Sequence, residues 1–424
     1  MTSALHVGIV GYGTAGQAAA VMLSRDGHHV QVFERAARPG PVGAGLLLQP
    51  TGLQVLWAMG LLPQALAHGA PVRRLYGETD RGHGVMDMRY ATLDARTCGL
   101  GMQRGALFSI LAAALDGQAQ IHDGSGIVDL DAQGGFLRDE RGARHGPFDL
   151  LIAADGSASN LRAHVATPTL DRPYPWGALW CLLDRGDWPW ADELRQRYVA
   201  ARRMIGFLPV GTRPGDDRSR LSFFWSMPTA GFEAWQQGGL PAWHREIAAI
   251  WPEALPLVRQ ITECATLSRA SYRDTVLARW HRDRLVLLGD AAHSMSPQLG
   301  QGVNMALLDA LALRDALRSH GKVPAALAGY QAERQPHVSM YQTWSRWLTP
   351  LFQSNLDGAA RLRDAAFLPM GRLPLGRGHM LRVLSGTQRG HFGRLQLEPA
   401  FLTALEATAM NPGVGQLHTS AASA

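Results

Sequence analysis

The chain has 424 residues, 46% hydrophobic and 18% charged, with a formal net charge of +6, which marks a soluble globular protein long enough for two or three packed units. Cys98, Cys181 and Cys264 are the only cysteines and form no CxxC pair, which argues against a disulfide framework and a zinc site and fits a reducing cytoplasm. Between 341 and 400, eight arginines face Asp357, Asp364 and Glu398 alone; this excess could meet an anionic substrate or a membrane surface, but a solvated face is the plainer reading, and no nucleic-acid partner is expected.

No stretch carries 18 consecutive apolar residues, so no integral membrane segment is expected. The opening MTSALHVGIVGYG has none of the layout of a signal peptide. Lys322 is the only lysine, so chemistry that needs a lysine has one candidate.

In chain order, LHVGIV predicts a strand, GYGTAG a turn, TAGQAAAVMLSRDG a helix ended by Gly27, and HVQVF a second strand. Gly11, Gly13 and Gly16 permit a tight turn, close approach of backbone to a pyrophosphate, and close helix-sheet packing. The helix start at Thr14 and Ala15 then faces the phosphates. Glu34 follows Gly16 by 18 residues at the end of the second strand, where a carboxylate accepts from a ribose 2′-OH and disfavours NADP in this loop. Strand, helix and acid together point to a dinucleotide, without separating NAD from FAD; a glycine-rich turn with no ligand is the bland alternative.

Helical patterns follow at 50–60 and 103–115, a hairpin signal at DAQGGFLRDERG, and a buried-strand run at DLLIAADG. From about 170 to 270 the texture changes. Trp and Pro cluster, and the strand-like runs 203–211 and 220–228 flank a polar loop, as in an antiparallel sheet inserted into the first domain. RLVLLGD returns to the buried-strand pattern, and helices are expected over 302–318 and 324–340. Trp344, Trp347, Leu348, Leu351 and Phe352 recur at helical spacing as a core-packing face, with Pro350 expected to kink or end that helix. Residues 411–424 read as a flexible tail.

GYGTAG with ER at 34–35, AADGSASNLR, and LLGDAAHSMSPQLGQGVNMA, in that order, resemble the FAD-dependent aromatic monooxygenases of the para-hydroxybenzoate hydroxylase type. No single motif would suffice. The resemblance implies an α/β fold: a Rossmann-like FAD-binding domain (1–70, 100–165 and 272–340), an inserted mostly antiparallel substrate domain (71–99 and 166–271), and a C-terminal helical region (341–410). It implies that Arg35 lines the adenosine side, that Arg104 contacts the flavin, and that Asp155, Gly156 and Arg162 touch FAD and the nicotinamide donor. Gly289 and Asp290 would hold the ribityl chain. Pro297, Gly300, Gln301 and Gly302 would form the catalytic loop at the flavin ring, with the backbone of Gly302, Val303 and Asn304 opening a helix toward it. No side-chain base is singled out, and His293 has a structural reading beside a catalytic one.

Trp180, Phe207, Phe223, Trp225 and Met227, on strands of the inserted unit, are candidates for the substrate roof; a plain sheet core is the alternative for each. The function implied is a single-component monooxygenase with tightly but non-covalently bound FAD. NAD(P)H is its transient reductant and O2 its oxidant, and it hydroxylates a phenolic or heteroaromatic molecule through a flavin hydroperoxide, as a monomer or homodimer. A reductase or dehydrogenase, an N-oxygenating enzyme, and a non-catalytic flavin binder on the same fold stand as alternatives.

Overall fold

The computed structural model describes residues 4–40, 43–390 and 392–410, without the side chains of 408–410; the expected flexible tail, 411–424, lies outside them. The elements used below are numbered in chain order. β1 (His6–Val10), α1 (Thr14–Arg25) and β2 (His29–Phe33) form the opening unit. β3 (Gly45–Leu48), α2 (Pro50–Ala58), β4 (Arg74–Thr79), β5 (Gly84–Arg89), β6 (Gly99–Gln103), α3 (Arg104–Leu115) and β7 (Gln120–His122) follow. Next come β8 (Leu150–Ala153), β9 (Leu170–Asp184), β10 (Glu193–Val199), β11 (Arg203–Arg213), β12 (Asp216–Pro228), α4 (Phe232–Ile250) and β13 (Ser268–Val276). β14 (His281–Arg282), β15 (Leu285–Leu287), α5 (Gly302–Ser319), α6 (Val323–Phe352), α7 (Asp357–Arg372), α8 (Pro374–Leu384) and α9 (Pro399–Met410) complete the set.

A six-stranded sheet has the order β14-β15-β8-β1-β2-β7. Its central strands pair in parallel, Val7 with Leu150 and Val30, and Ile152 with Val286. Helices α1, α3 and α5 cover one face, and Phe148 and His145 close over Gly8 and Phe33 on the other, so β8 and β15 are buried on both sides and read as unbroken apolar runs rather than alternating ones. α1 packs on α5 and α3 through a face of Ala, Val, Met and Leu.

The second sheet has seven strands, β13-β9-β12-β11-β10-β4-β5. β13 runs across the boundary placed at 271/272, so this strand belongs at once to the seven-stranded sheet and to the return into the first domain. One face of the sheet is dry: Leu179, Cys181, Phe207, Phe223 and Trp225 pack with Trp188, Trp243, Ile247 and Trp251, the middle two of these from α4, which kinks at Gly239 (φ +73°) ahead of Pro241. The other face meets the first domain. There the Gly45 N–H donates to Ser222 Oγ at 3.1 Å, and a Cβ on Gly101 would collide with the Pro209 carbonyl.

α6 joins the helix expected to 340 and the helical face expected over 344–352 into one element, which runs through Pro336 and ends two residues after Pro350. Its buried stripe is Tyr341, Ser345, Thr349 and Phe352. Trp344 and Trp347, expected in the core, point outward at 37% and 75% exposure. Phe352 is buried and Leu348 and Leu351 pack against the core as expected, but the rest of the buried face was not legible, because α6 lays a partly polar stripe on the loop at Ser296: the Ser296 and Thr349 hydroxyls lie 2.8 Å apart. Among the described residues no helix is long and apolar enough to cross a membrane.

Candidate active site

Three loops meet at the carboxyl edge of the parallel sheet, the usual ligand edge of such folds. Gly11 takes φ +101° and hands its N–H to the Phe33 carbonyl at 2.9 Å. A Cβ there would collide with the Ala154 carbonyl, and one on Gly16 with the Gly11 carbonyl. Around Gly13, by contrast, there is open space. The Glu34 carboxylate accepts the N–H groups of Tyr12 and Ala36, both at 2.9 Å, which fixes the acid beside the turn. The first-turn amides of α1, from Thr14, Ala15 and Gly16, have no partner within the helix and face the same space.

In the second loop, Asp155 has a buried Oδ1 with no hydrogen-bond partner, and burial pushes its carboxyl above the usual range, against the pull of Ser159, Arg162 and Arg35. Exposed Arg35 is thus brought beside the Asp-Gly loop. Gly156, at φ +85°, again borders open space. Arg162 is 4% exposed and already committed. It donates to Thr275 Oγ1 at 2.9 Å and to the carbonyls of Gly156 (3.2 Å), Ser157 (2.7 Å) and Asp290 (3.5 Å). It clamps the second loop to the third.

The third loop begins at Gly289, φ +59°, whose Cβ would press on Ala15 of the first. Asp290 is exposed and free to accept from hydroxyl groups. Its loop is anchored from behind: Asp309 Oδ2 accepts the Gly289 N–H (2.9 Å) and pairs with His293 Nε2 (2.6 Å), while Oδ1 takes Arg334 Nε (2.8 Å). Burial alone would raise the Asp309 pKa, but His293 and Arg334 override it and hold it at about 2. His293 is therefore placed in a structural pair.

Pro297 opens a single 3-10 turn and Gly300 turns left-handed at φ +62°. Gly300 and Gly302 have open space where a side chain would be. Gln301 is 2% exposed, donates to the Leu384 carbonyl at 2.7 Å and leaves its buried Oε1 without a partner. The Asn304 side chain is fully buried and spoken for: Oδ1 takes the Gln49 N–H (2.8 Å), and Nδ2 donates to Leu47 (3.2 Å) and Gly300 (3.1 Å). What Asn304 offers a ligand is its amide, beside those of exposed Gly302 and half-buried Val303 at the start of α5. Open space over four glycines, orphaned acceptors on Asp155 and Gln301, an exposed Asp290 and two helix N-termini fit an extended dinucleotide with phosphates at α1 and a hydrogen-bonding ring at α5.

Of the roof candidates, the sheet register separates one from four. Phe207 pairs with Phe223, and Leu179 with Trp225, and these lie with Met227 in the dry cluster against α4. Trp180 pairs with Phe224 on the opposite face, their rings 5.0 Å apart, and donates Nε1–H to the Tyr272 hydroxyl at 3.1 Å. Burial pushes Tyr272 up to about 12, with Arg104 nearby. Arg104 is exposed, its own N–H on the Ala44 carbonyl (3.0 Å) and its side chain along Gly43. Phe224 and Tyr272 were not singled out from sequence. The available signal was strand alternation: one parity shared with Trp180 would have selected Phe224. Nor was the C-terminal turn at Leu384–Gly386, which touches Gln301, Thr51 and His337 and has no sequence motif.

Residues 4–345 match the family described as FAD binding domain. Kynurenine 3-monooxygenase of Salinispora arenicola is 30% identical over 87% of this chain and 84% of its own length. FAD-dependent urate hydroxylase of Klebsiella oxytoca is 28% identical over 78% of this chain and 86% of its own. Among solved structures, P. aeruginosa PqsL in complex with 2-aminobenzoylacetate superposes with a TM-score of 0.74 at 26% identity, covering 87% of this chain and all of that one.

Proposed function

The chain belongs to the FAD binding domain family, and on that premise we propose that it is a single-component FAD-dependent monooxygenase acting on a phenolic or heteroaromatic small molecule. FAD supplies the redox chemistry when bound, accepting reducing equivalents from NAD(P)H and delivering one oxygen atom of O2 to the substrate. The observation that carries this reading is the meeting of Gly11–Gly16, Asp155–Arg162 and Gly289–Asn304 in one cleft, through Gly11 on Ala154, Gly289 on Ala15 and Arg162 on Asp290. The relatives support the substrate class, since those named above act on aromatic or heteroaromatic molecules or carry one bound.

The chain's own residues divide the work. Glu34 and the α1 amides take the adenosine ribose and phosphates, with Arg35 beside them, and Asp290 takes the ribityl hydroxyls. The N-terminus of α5 brings its partial positive charge, with Gly302, Val303 and Asn304 amides, to the ring edge, where negative charge gathers on reduction. Pro297, Gly300 and Gln301 shape the ring side. Trp180, Phe224 and Tyr272 form an apolar roof with one polar tip, which orients an aromatic ligand and keeps water off it. NAD(P)H is the transient reductant on this reading. We place the enzyme in the cytoplasm, as a monomer or homodimer.

Purified protein carries an oxidised-flavin spectrum on this reading. Asp290→Ala removes two or more charge-assisted hydrogen bonds at about 1.5–3 kcal/mol each, so equilibrium dialysis should find FAD affinity down by 10-fold or more at unchanged melting behaviour of the apoprotein. Affinity unchanged in that variant would remove Asp290 from the site.

A further inference from the structure

Asp274, near the end of β13, is fully buried, and neither carboxyl oxygen has a hydrogen-bond partner. A buried orphan carboxyl is costly unless something uses it. Charged and hydroxyl side chains stand near it. From α6, Arg346 Nη1 stands 3.5 Å from Oδ1, its side chain 28% exposed. From β9, the Tyr174 hydroxyl lies beside both Asp274 and Ser296 without closing a bond in this arrangement, and Arg172 lies farther off. Ser296, 3% exposed, immediately precedes Pro297 and shares a 2.8 Å contact with Thr349. The neighbouring Thr275 ties the same strand to Ser294 and Arg162.

Tyr174 reaches this spot because the sheet breaks there. β9 and β13 pair regularly at Pro173 with Arg273 and again at Gly177 with Ser271, so Tyr174, Pro175 and Trp176 stand opposite Tyr272 alone. Such a bulge re-aims a side chain, and bulges gather beside active sites.

We propose that Asp274 is a proton-holding positioning residue for the ring loop, acting on Ser296 and Pro297 through the Tyr174 hydroxyl. With the carboxyl protonated, its O–H donates to Tyr174 Oη, and the Tyr174 O–H donates to Ser296 Oγ, tying the bulge to the loop. Ionisation breaks one O–H bond and releases one proton to water along the Arg346 edge; the Tyr174 O–H then turns to the carboxylate and Ser296 loses its donor. Burial holds Asp274 above the usual carboxylate range, with Arg346 opposing it, so both states are accessible to titration. The link to the flavin rests on the function proposed above; the carboxyl itself does not.

The test is a pH titration of wild-type protein and three variants, by the infrared C=O stretch of a protonated carboxyl, in apoprotein and holoenzyme, and by the visible spectrum of bound FAD. Wild type should show a carboxyl band that persists above the usual carboxylate range, with a flavin shift on the same midpoint. Asp274→Asn should remove the Asp274 part of the band, leaving any part that buried Asp155 contributes, and abolish the flavin shift. Tyr174→Phe should keep the band and lose the flavin shift, and Arg346→Gln, at a half-exposed site, should move the midpoint to higher pH. A band unchanged in Asp274→Asn, or an Arg346→Gln midpoint that stays or falls, overturns the proposal; a flavin shift that survives Tyr174→Phe overturns the route. If Asp274→Asn does not fold, the other two variants decide. Failure to bind FAD would sink the function while leaving the apoprotein band to report on Asp274.

Discussion

His337 is 1% exposed, and its two ring nitrogens are bound as a neutral imidazole requires: Nδ1 accepts from Arg334 Nη1 at 2.6 Å and Nε2–H donates to the Gly386 carbonyl at 3.0 Å. Burial first, then the Arg334 charge, lower its pKa to about 3. An unfolded histidine titrates near 6.5, so between those values the unfolded chain holds a proton that the native chain does not. The stabilisation from neutral His337 is therefore complete above about pH 6.5 and is lost as pH falls toward 3, at on the order of 1.4 kcal/mol per pH unit. Asp309, at about 2, matters only below the ordinary carboxylate range. Urea unfolding at pH 7 and pH 5 should show His337→Gln with a flatter loss than wild type. That difference isolates His337 from the other histidines that burial also lowers, such as buried His28 and half-buried His244; equal slopes would show that His337 accepts its proton in the native state. None of this network could be read from sequence, because Asp309, Arg334, His337 and Gly386 become partners only when α5, α6 and the turn after α8 pack.

At the scale of elements, the sheet over the ring offers a paired test of register. Phe223 and Phe224 are adjacent and chemically identical, both almost fully buried, on opposite faces of β12. Phe223→Ala hollows the cluster with Trp243 and should cost about 3–5 kcal/mol in chemical denaturation. Phe224→Ala should instead act on catalysis, raising the KM for the aromatic substrate and uncoupling NAD(P)H oxidation from product. Equal stability losses with unchanged kinetics in Phe224→Ala would mean that the roof is misplaced. The strand itself was legible in RLSFFWSMP, and the face was not: in a strand apolar on both sides no local pattern names the ligand side, and only the pairing of Trp180 with Phe224 does. For the glycine loops the opposite holds. Gly11 and Gly289 take left-handed φ and Gly16 packs on the Gly11 carbonyl, requirements local enough to show in the motifs, although Gly11 also closes on Ala154 and Gly289 on Ala15. Gly11→Ala should accordingly destroy FAD binding, the dialysis readout again, because its φ of +101° and the Ala154 carbonyl both forbid a Cβ.

Across the whole molecule, on the function proposed above, the parallel sheet supplies the cofactor edge, the seven-stranded sheet the roof, and α6 to α8 the brace behind the ring loop, which Gln301 touches at Leu384. The first two were legible as a glycine-rich unit and a change of texture. The brace was not, since its contacts to Gln301 and Thr51 use backbone carbonyls of Leu384 and Ser385 that any residue could provide. The same region carries apolar side chains in solvent, Trp347 at 75% and Leu375 at 90% exposure; Trp347→Ser should change stability by no more than about 0.5 kcal/mol, whereas a core position would cost several times that. The central claim is chemical, and one measurement reaches it: FAD-loaded protein incubated with NADH or NADPH under air and a panel of phenols, quinolones and indoles, with product mass read beside reductant consumed. The account predicts at least one aromatic compound that accelerates NAD(P)H oxidation and returns with one oxygen atom added. Flavin-loaded protein that consumes no reductant with any of them, or that consumes it and returns every aromatic unchanged, would contradict it.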